Sequence, residues 1–220
     1  MRIDCLDIST TKACATVRAV LVAMLAAAYL SACATTGRSG TKPKPARVEV
    51  QDEVGFTIIE EARISNNIRV DYDAALDLLE QGQFDEGIAI LERVAEMAPE
   101  LSAPRIDLGI AYHRAGKLDA AEEQLQKAIA ANSQHPIAHN EMGILHRKAG
   151  RFSEAKRSYE SALAIYPGYH YARRNLGVLC DLYLVDLRCA LDNYEAYMAT
   201  VPEDDEAQMW IADIRNRMGQ

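Results

Sequence analysis

A repeating pattern with a period of 34 residues is the feature that most constrains how this 220-residue chain can fold. Glycines recur at this interval in two separate series: Gly109, Gly143 and Gly177, and Gly82, Gly116 and Gly150. Chains with a fixed internal period form structural units that pack only against their neighbours. The sequence therefore predicts a linear array of similar units.

Residues 136–169 show what one unit contains. Apolar residues fall at spacings of three and four, which predicts two amphipathic helices: Met142, Leu145, Phe152, Tyr159, Ala162 and Leu163. Gly150 ends the first helix because glycine tolerates the left-handed backbone of a helix terminus. Pro167 ends the second helix because it lacks a backbone N–H. The small residues Gly143 and Ala155 let the two helices approach closely.

These residues and their spacing resemble the tetratricopeptide repeat. The resemblance implies an all-α solenoid of helix-turn-helix units with four repeats, at residues 68–101, 102–135, 136–169 and 170–204. Residues 205–220 contain a helix with one apolar and one polar face, which is expected to cap the array.

The first and last repeats depart from the pattern. The first has Ala75 where the later repeats have Gly109, Gly143 and Gly177. In the fourth, Leu184 stands where the other repeats have a turn glycine, and the residues that follow are displaced by one position. We therefore expect one inserted residue in the fourth turn.

Residues 1–32 are predicted to be a targeting segment. The apolar run Ala19–Leu30 is shorter than the ~20 residues that a helix needs to cross a bilayer, and it leads into Leu30-Ser31-Ala32-Cys33. This sequence resembles the bacterial lipobox, which implies a lipoprotein signal peptide and acyl chains such as palmitate on Cys33. An ordinary secretory signal and a retained membrane anchor are the alternatives. Because Ala34 is not an aspartate, the resemblance favours the outer membrane, facing the periplasm.

Two segments separate this leader from the repeats. Residues 33–47 are small, polar and proline-containing, and they are expected to form a flexible tether. In residues 48–67, Thr57 and Glu60 have the spacing of a capping box, which predicts a helix containing Ile58 and Ile64. A segment that docks on a partner is the alternative for this region.

Two cysteines lie in the fourth repeat. Cys180 is in its first helix and Cys189 is near the start of its second. Antiparallel helices can bring residues at this spacing together, and an oxidising compartment would allow a disulfide. The alternatives are two reduced core residues, or a redox or metal site.

Composition and motifs argue against several functions. The net charge of −8 argues against a nucleic-acid partner. Gly116-Lys117 lacks the spacing of a phosphate-binding loop, and no Ser-His-Asp or zinc-protease motif is present. His135 and His139 are four residues apart but have no third ligand at a recognised spacing. We therefore expect no catalysis, no cofactor, no metal and no small-molecule substrate.

The resemblance also implies where a peptide would bind. Tetratricopeptide proteins use a groove lined by the first helix of each repeat. The corresponding residues here are Ile106, Ile110, His113, Asn140, Ile144, Arg147, Tyr171, Arg174 and Val178. Because arginine can bind a carboxylate with two hydrogen bonds, the expected ligand is an acidic peptide. A surface around Tyr183, Tyr194 and Tyr197 is the alternative.

The sequence thus leads to a functional hypothesis. The protein is expected to be a lipid-anchored periplasmic scaffold that assembles or tethers envelope proteins, in a pathway such as pilus assembly or an energy-transducing transport complex. An enzyme, or an enzyme regulator, in peptidoglycan or lipid handling is the alternative from a different class.

Overall fold

The structure is a computed structural model that describes residues 47–50, 56–60 and 64–219. Helices account for most of this part of the chain: α1 Asn66–Glu80, α2 Phe84–Met97, α3 Ala103–Arg114, α4 Leu118–Ala131, α5 Pro136–Lys148, α6 Phe152–Ile165, α7 His170–Leu179, α8 Leu187–Met198 and α9 Asp205–Arg217. A π-helical turn, Cys180–Leu184, continues α7. None of these helices has the length and apolar character that a membrane span requires. The predicted leader, Cys33 and most of the tether lie outside the described residues.

A β-hairpin precedes the helices. Strand β1 (Arg47–Val50) pairs in antiparallel fashion with β2 (Phe56–Ile59), and Val48 lies opposite Ile58. The prediction of a helix beginning near Thr57 is therefore wrong. Residues 57–59 are all β-branched, and such side chains lose rotamer freedom in a helix but suit a strand. The docking role of residues 48–67 stays a prediction.

The helices from α1 to α8 form four antiparallel pairs, and α9 packs against α8 at the end of the array. Neighbouring first helices contact each other directly, α3 with α5 and α5 with α7. No comparable contact joins second helices in the described part of the chain. The first helices therefore line one face, here called the inner face, and the second helices lie outside them. Ile137 packs against the apolar clusters on both sides of it, so the core runs along the array.

Close contact between the two helices of a pair depends on a glycine. A Cβ atom on Gly143 would lie 2.5 Å from Cε1 of Tyr159, and one on Gly177 would lie 2.6 Å from Cδ1 of Tyr194. Both tyrosine side chains are buried. Ala155 is fully buried too, but the side chain that fills the space opposite Gly143 is Tyr159.

The two helices of the first pair also approach closely, but here the glycine is in the second helix and the alanine is in the first. Its first helix has Ala75 in place of the glycine, and its second helix has Gly87 where the later repeats have alanine. A Cβ atom on Gly87 would lie 2.8 Å from Cδ2 of Leu79 and 3.1 Å from the carbonyl oxygen of Ala75. The departure at Ala75 is thus compensated within the same pair.

The turns inside the first three pairs have the same geometry. Gly82, Gly116 and Gly150 have φ angles of 78°, 75° and 73°, in the left-handed region that glycine adopts without steric cost. In the third turn the N–H of Arg151 donates to the carbonyl oxygen of His146, five residues earlier, at 2.8 Å. This is the hydrogen bond of a Schellman helix terminus.

The sequence comparison placed Leu184 at the position of the turn glycine in the fourth repeat, but the structure has a different residue there. The residue with left-handed backbone is Val185 (φ 54°), and Leu184 belongs to the π-helical turn before it. The N–H of Asp186 donates to the carbonyl oxygen of Cys180 at 2.9 Å, a span of six residues where the other turns have five. The extra residue therefore widens the end of the first helix, as single π-helical turns do.

A disulfide holds this widened turn. Cys180 and Cys189 are bonded, with their Cα atoms 5.8 Å apart. The carboxylate of Asp186 accepts a hydrogen bond from the N–H of Cys189 at 3.0 Å and so caps α8. Among the four described turns that join the two helices of a pair, this is the one without a glycine, and the two cysteines fix both of its ends.

Replacement of Gly143 by leucine should reduce the free energy of unfolding by about 1–3 kcal/mol, because the new side chain overlaps the buried ring of Tyr159. Chemical denaturation of the purified protein measures this change. Ala130→Leu, on the exposed surface of α4, is the matched control and should have little effect. Equal stability of the two variants would contradict the assigned packing.

The double variant Cys180→Ala with Cys189→Ala should lose about 2–3 kcal/mol of stability, because the bond restricts the unfolded chain. A reducing agent should destabilise the natural protein by a similar amount and leave the double variant unchanged. Denaturation with and without reductant tests both statements. A natural protein that is insensitive to reductant would show that the bond does not support the fold.

Candidate partner-binding face

Side-chain contacts connect neighbouring first helices along the inner face. The hydroxyl of Tyr72 donates to the carboxylate of Asp107, 35 residues later. Nδ2 of Asn175 donates to Oδ1 of Asn140 at 2.9 Å, again across 35 residues. These bonds fix the spacing between neighbouring repeats, so the inner face is a pre-organised surface.

The same kind of contact joins the last repeat to the terminal helix. The guanidinium carbon of Arg174 lies 5.1 Å from the ring centre of Trp210, in the range of a cation–π interaction. Trp210 also packs on Tyr194, with ring centres 5.2 Å apart. Helix α9 therefore covers this end of the inner face and occupies Arg174.

The structure places the nine predicted groove residues at different depths. Ile106 and Asn140 are 3% and 2% exposed and belong to the core. Asn140 also donates to the carboxylate of Glu141 at 3.0 Å and accepts from Asn175, so its side chain serves the fold and is not presented to a peptide. The remaining seven keep exposed area on the face: Ile110, His113, Ile144, Arg147, Tyr171, Arg174 and Val178.

Four basic side chains gather at the C-terminal ends of α3 and α5. This basic cluster consists of His113, Arg114, Arg147 and Lys148. Burial lowers the pKa of His113, and the nearby charges of Lys148, Arg114 and Arg147 lower it further. Cations at a helix C-terminus also complement the helix dipole, so the fold alone accounts for part of this arrangement.

The polar atoms of the basic cluster are incompletely paired. Arg114, Arg147 and Lys148 form no ion pair with any described residue. Within the described part of the chain, Nε2 of His113, Nε of Arg147 and the hydroxyl of Tyr159 are buried and have no hydrogen-bond partner. Burial lowers the pKa of Arg147, but the neighbouring hydroxyls of Tyr159 and Tyr183 raise it, so the fold already stabilises this guanidinium in part. Unpaired buried polar atoms are costly, and they are commonly satisfied by water, an ion or a ligand. The cluster is therefore equipped to receive hydrogen-bond acceptors.

Two acidic residues on the inner face were missed by the sequence mapping. Asp107 and Glu141 are 34 residues apart, each one position after a predicted groove residue. Burial raises the pKa of both carboxyls, while the hydrogen bond from Tyr72 lowers that of Asp107 and the bond from Asn140 lowers that of Glu141. Their regular spacing was visible in the sequence, but their burial was not.

The alternative tyrosine surface is only partly present. Tyr194 and Tyr197 are 2% and 6% exposed, so they cannot form a binding surface. Tyr183 is 41% exposed and lies beside the basic cluster, with its ring centre 5.9 Å from the guanidinium carbon of Arg147. It packs against Phe152, with ring centres 4.8 Å apart. Tyr183 thus extends the same face.

The described residues contain no group of three His, Cys, Asp or Glu side chains arranged to hold a metal ion. His135 is 4% exposed, and Nε2 of His139 lies 3.0 Å from the carbonyl oxygen of Ser133. This pair therefore contributes to the loop before α5.

Comparisons with known proteins agree with this fold. Tetratricopeptide repeat models match residues 71–141 and 136–169. The crystal structure of MamA protein is 20% identical, with a TM-score of 0.61, and the alignment covers 71% of this chain and 85% of MamA. A MamA structure from Desulfovibrio magneticus RS-1 is 18% identical, with a TM-score of 0.62 and coverages of 71% and 88%.

A structure of Pseudomonas aeruginosa pilF is 19% identical, with a TM-score of 0.63, and the alignment covers 70% of this chain and 69% of that one. At these identities the likeness concerns the fold alone. A comparison with curated protein sequences finds no match. Residues 71–169 therefore consist of tetratricopeptide repeats, and the described chain folds as a tetratricopeptide solenoid.

Proposed function

We propose that this protein is a non-enzymatic scaffold whose inner face binds an acidic segment of a partner protein. The main observation in support is the basic cluster, in which His113 and Arg147 each have a buried nitrogen without a hydrogen-bond partner among the described residues. The half-exposed side chains of Ile110 and Ile144 lie one helical turn before them and offer apolar contact. An acidic segment with some apolar residues matches both features.

The chemistry of the cluster favours carboxylates. Arginine presents several N–H donors in a planar group, and hydrogen bonds between charged groups are stronger than neutral ones. The whole chain carries a net charge of −8, so a local basic surface distinguishes this site from its surroundings. Like charges elsewhere on the protein would discourage binding of acidic segments at other places.

We propose that the scaffold is attached to the outer membrane through acyl chains on Cys33 and faces the periplasm. The support is the sequence Leu30-Ser31-Ala32-Cys33 behind an apolar run, and Ala34 after it. The disulfide between Cys180 and Cys189 suits an oxidising compartment. In this location the partners would belong to envelope machinery such as a pilus-assembly apparatus or an energy-transducing transport complex.

Photo-cross-linking tests the binding face. A benzoyl-phenylalanine replacing Ile110 should form adducts with a partner in intact envelopes, because this side chain lies on the inner face beside the basic cluster. Removing two charges, Arg114→Gln with Lys148→Gln, should weaken binding by roughly 10- to 100-fold and abolish the adduct. Gel analysis and mass spectrometry of the adducts give the result.

A charge-matched control separates a specific effect from loss of net charge. Lys127→Gln with Arg188→Gln also removes two exposed cations, but these lie on second helices and pair with Glu123 and Asp192. This variant should retain the adduct. Loss of the adduct in both double variants, or its persistence in both, would refute the proposed site.

The replacement Cys33→Ser should move the protein from the membrane fraction to the soluble fraction, because it removes the thiol to which the lipid would attach. The helical circular-dichroism signal should stay the same. Fractionation of cells that express each form makes the comparison. A variant that remained with the membrane would rule out lipidation at Cys33 as the anchor.

A further inference from the structure

A cavity of about 260 Å³ lies between the end of the hairpin, the first helix pair and the start of α3, and it shares no lining residue with the basic cluster. Its walls are mostly apolar and are formed by Ile58, Ile64, Ile68, Val94, Leu101 and Pro104. Ile68 and Val94 are 8% and 0% exposed, so part of the lining is deep in the fold. The cavity is here called the anchor cavity.

Two polar side chains in the anchor cavity already have partners. The carboxylate of Glu60 accepts hydrogen bonds from the N–H of Ser102 at 2.9 Å and from Nδ2 of Asn132 at 3.0 Å, as well as from the hydroxyl of Ser102. The hydroxyl of Tyr72 donates to Asp107. Glu60 thereby fixes the end of the hairpin segment to the start of α3, where a carboxylate is favoured by the helix dipole.

His135 differs from these groups. Its side chain lines the cavity and is 4% exposed, and its Nδ1 atom has no hydrogen-bond partner among the described residues. Burial lowers the pKa of His135 to about 4, although the nearby charge of Glu60 opposes this effect. The imidazole is therefore neutral at pH 7, with one nitrogen as donor and the other as acceptor.

The size of the cavity limits what can enter. Pockets that bury drug-sized ligands measure about 300–1,000 Å³, whereas a water molecule takes up only about 30 Å³. The anchor cavity therefore has the size for one large side chain. The lining includes one cation, Arg69, and one carboxylate, Glu60, so a charged side chain of either sign would lose hydration there and would also meet a like charge. An aliphatic side chain would leave Nδ1 of His135 unpaired.

We propose that the anchor cavity receives one tyrosine side chain of a protein partner, with the ring against the isoleucine walls and the hydroxyl hydrogen-bonded to Nδ1 of His135. A phenol hydroxyl can donate or accept, so it satisfies either tautomer of the histidine. An indole N–H can only donate. This inference rests on the proposed function in that it requires a protein partner, but it assigns that partner a second, separate contact.

The test uses p-cresol, which is the tyrosine side chain alone, and toluene, which lacks the hydroxyl. Ligand-observed NMR with the complete chain should give a Kd of about 1 mM for p-cresol and roughly three- to tenfold weaker binding of toluene. In His135→Phe, p-cresol should bind no better than toluene. Equal binding of the two compounds to the natural protein, or no binding of p-cresol, would overturn the proposal.

A second variant keeps the test independent of the histidine. Ala103→Met adds a side chain at the cavity wall and should abolish binding of both compounds. Ala130→Met, on the exposed side of α4, should leave binding unchanged. Binding of p-cresol that survived Ala103→Met would place the binding site elsewhere and refute the assignment.

This experiment needs no partner protein, so its outcome is separate from that of the cross-link at Ile110. The p-cresol test can fail while the charge-dependent cross-link succeeds, and the cross-link can fail while p-cresol binds.

Discussion

The contact between a glycine in one helix and a large side chain in the next is the interaction on which this fold depends. At Gly109 a Cβ atom would lie 2.8 Å from Cγ of Leu125, and Gly143 and Gly177 meet tyrosine rings even more closely. Each helix pair is therefore thin, and its apolar surface is covered only when the next pair stacks on it. The regular spacing of the inner face follows from this stacking.

The inserted residue in the fourth repeat shows how the array tolerates an irregular unit. The extra residue widens the end of the first helix, and Val185 takes the left-handed conformation that glycine has in the other turns. A β-branched residue is unfavourable there, but the disulfide between Cys180 and Cys189 and the cap by Asp186 constrain the turn. The second helix consequently keeps its register, and Tyr194 still meets Gly177.

The period, the helix ends and the close glycine contacts could be predicted from the sequence because each is a local pattern. The hairpin could not, since Thr57 and Glu60 have the spacing of a helix cap, whereas Glu60 binds the start of α3 some 42 residues away. The candidate site was recovered only in part. Position within a repeat indicates which face a residue occupies, but burial depends on neighbouring repeats, so Asn140 proved internal and Asp107 was missed.

The pKa of His113 tests the central claim most directly, because its Nε2 atom has no partner within the described fold and its pKa is lowered by burial and by nearby cations. NMR titration of ¹³C-labelled histidine would compare the free protein with the purified cross-linked adduct. Carboxylates of an acidic partner favour the charged imidazolium, so the account predicts a higher pKa in the adduct. An unchanged or lower pKa would contradict binding of an acidic segment at the basic cluster.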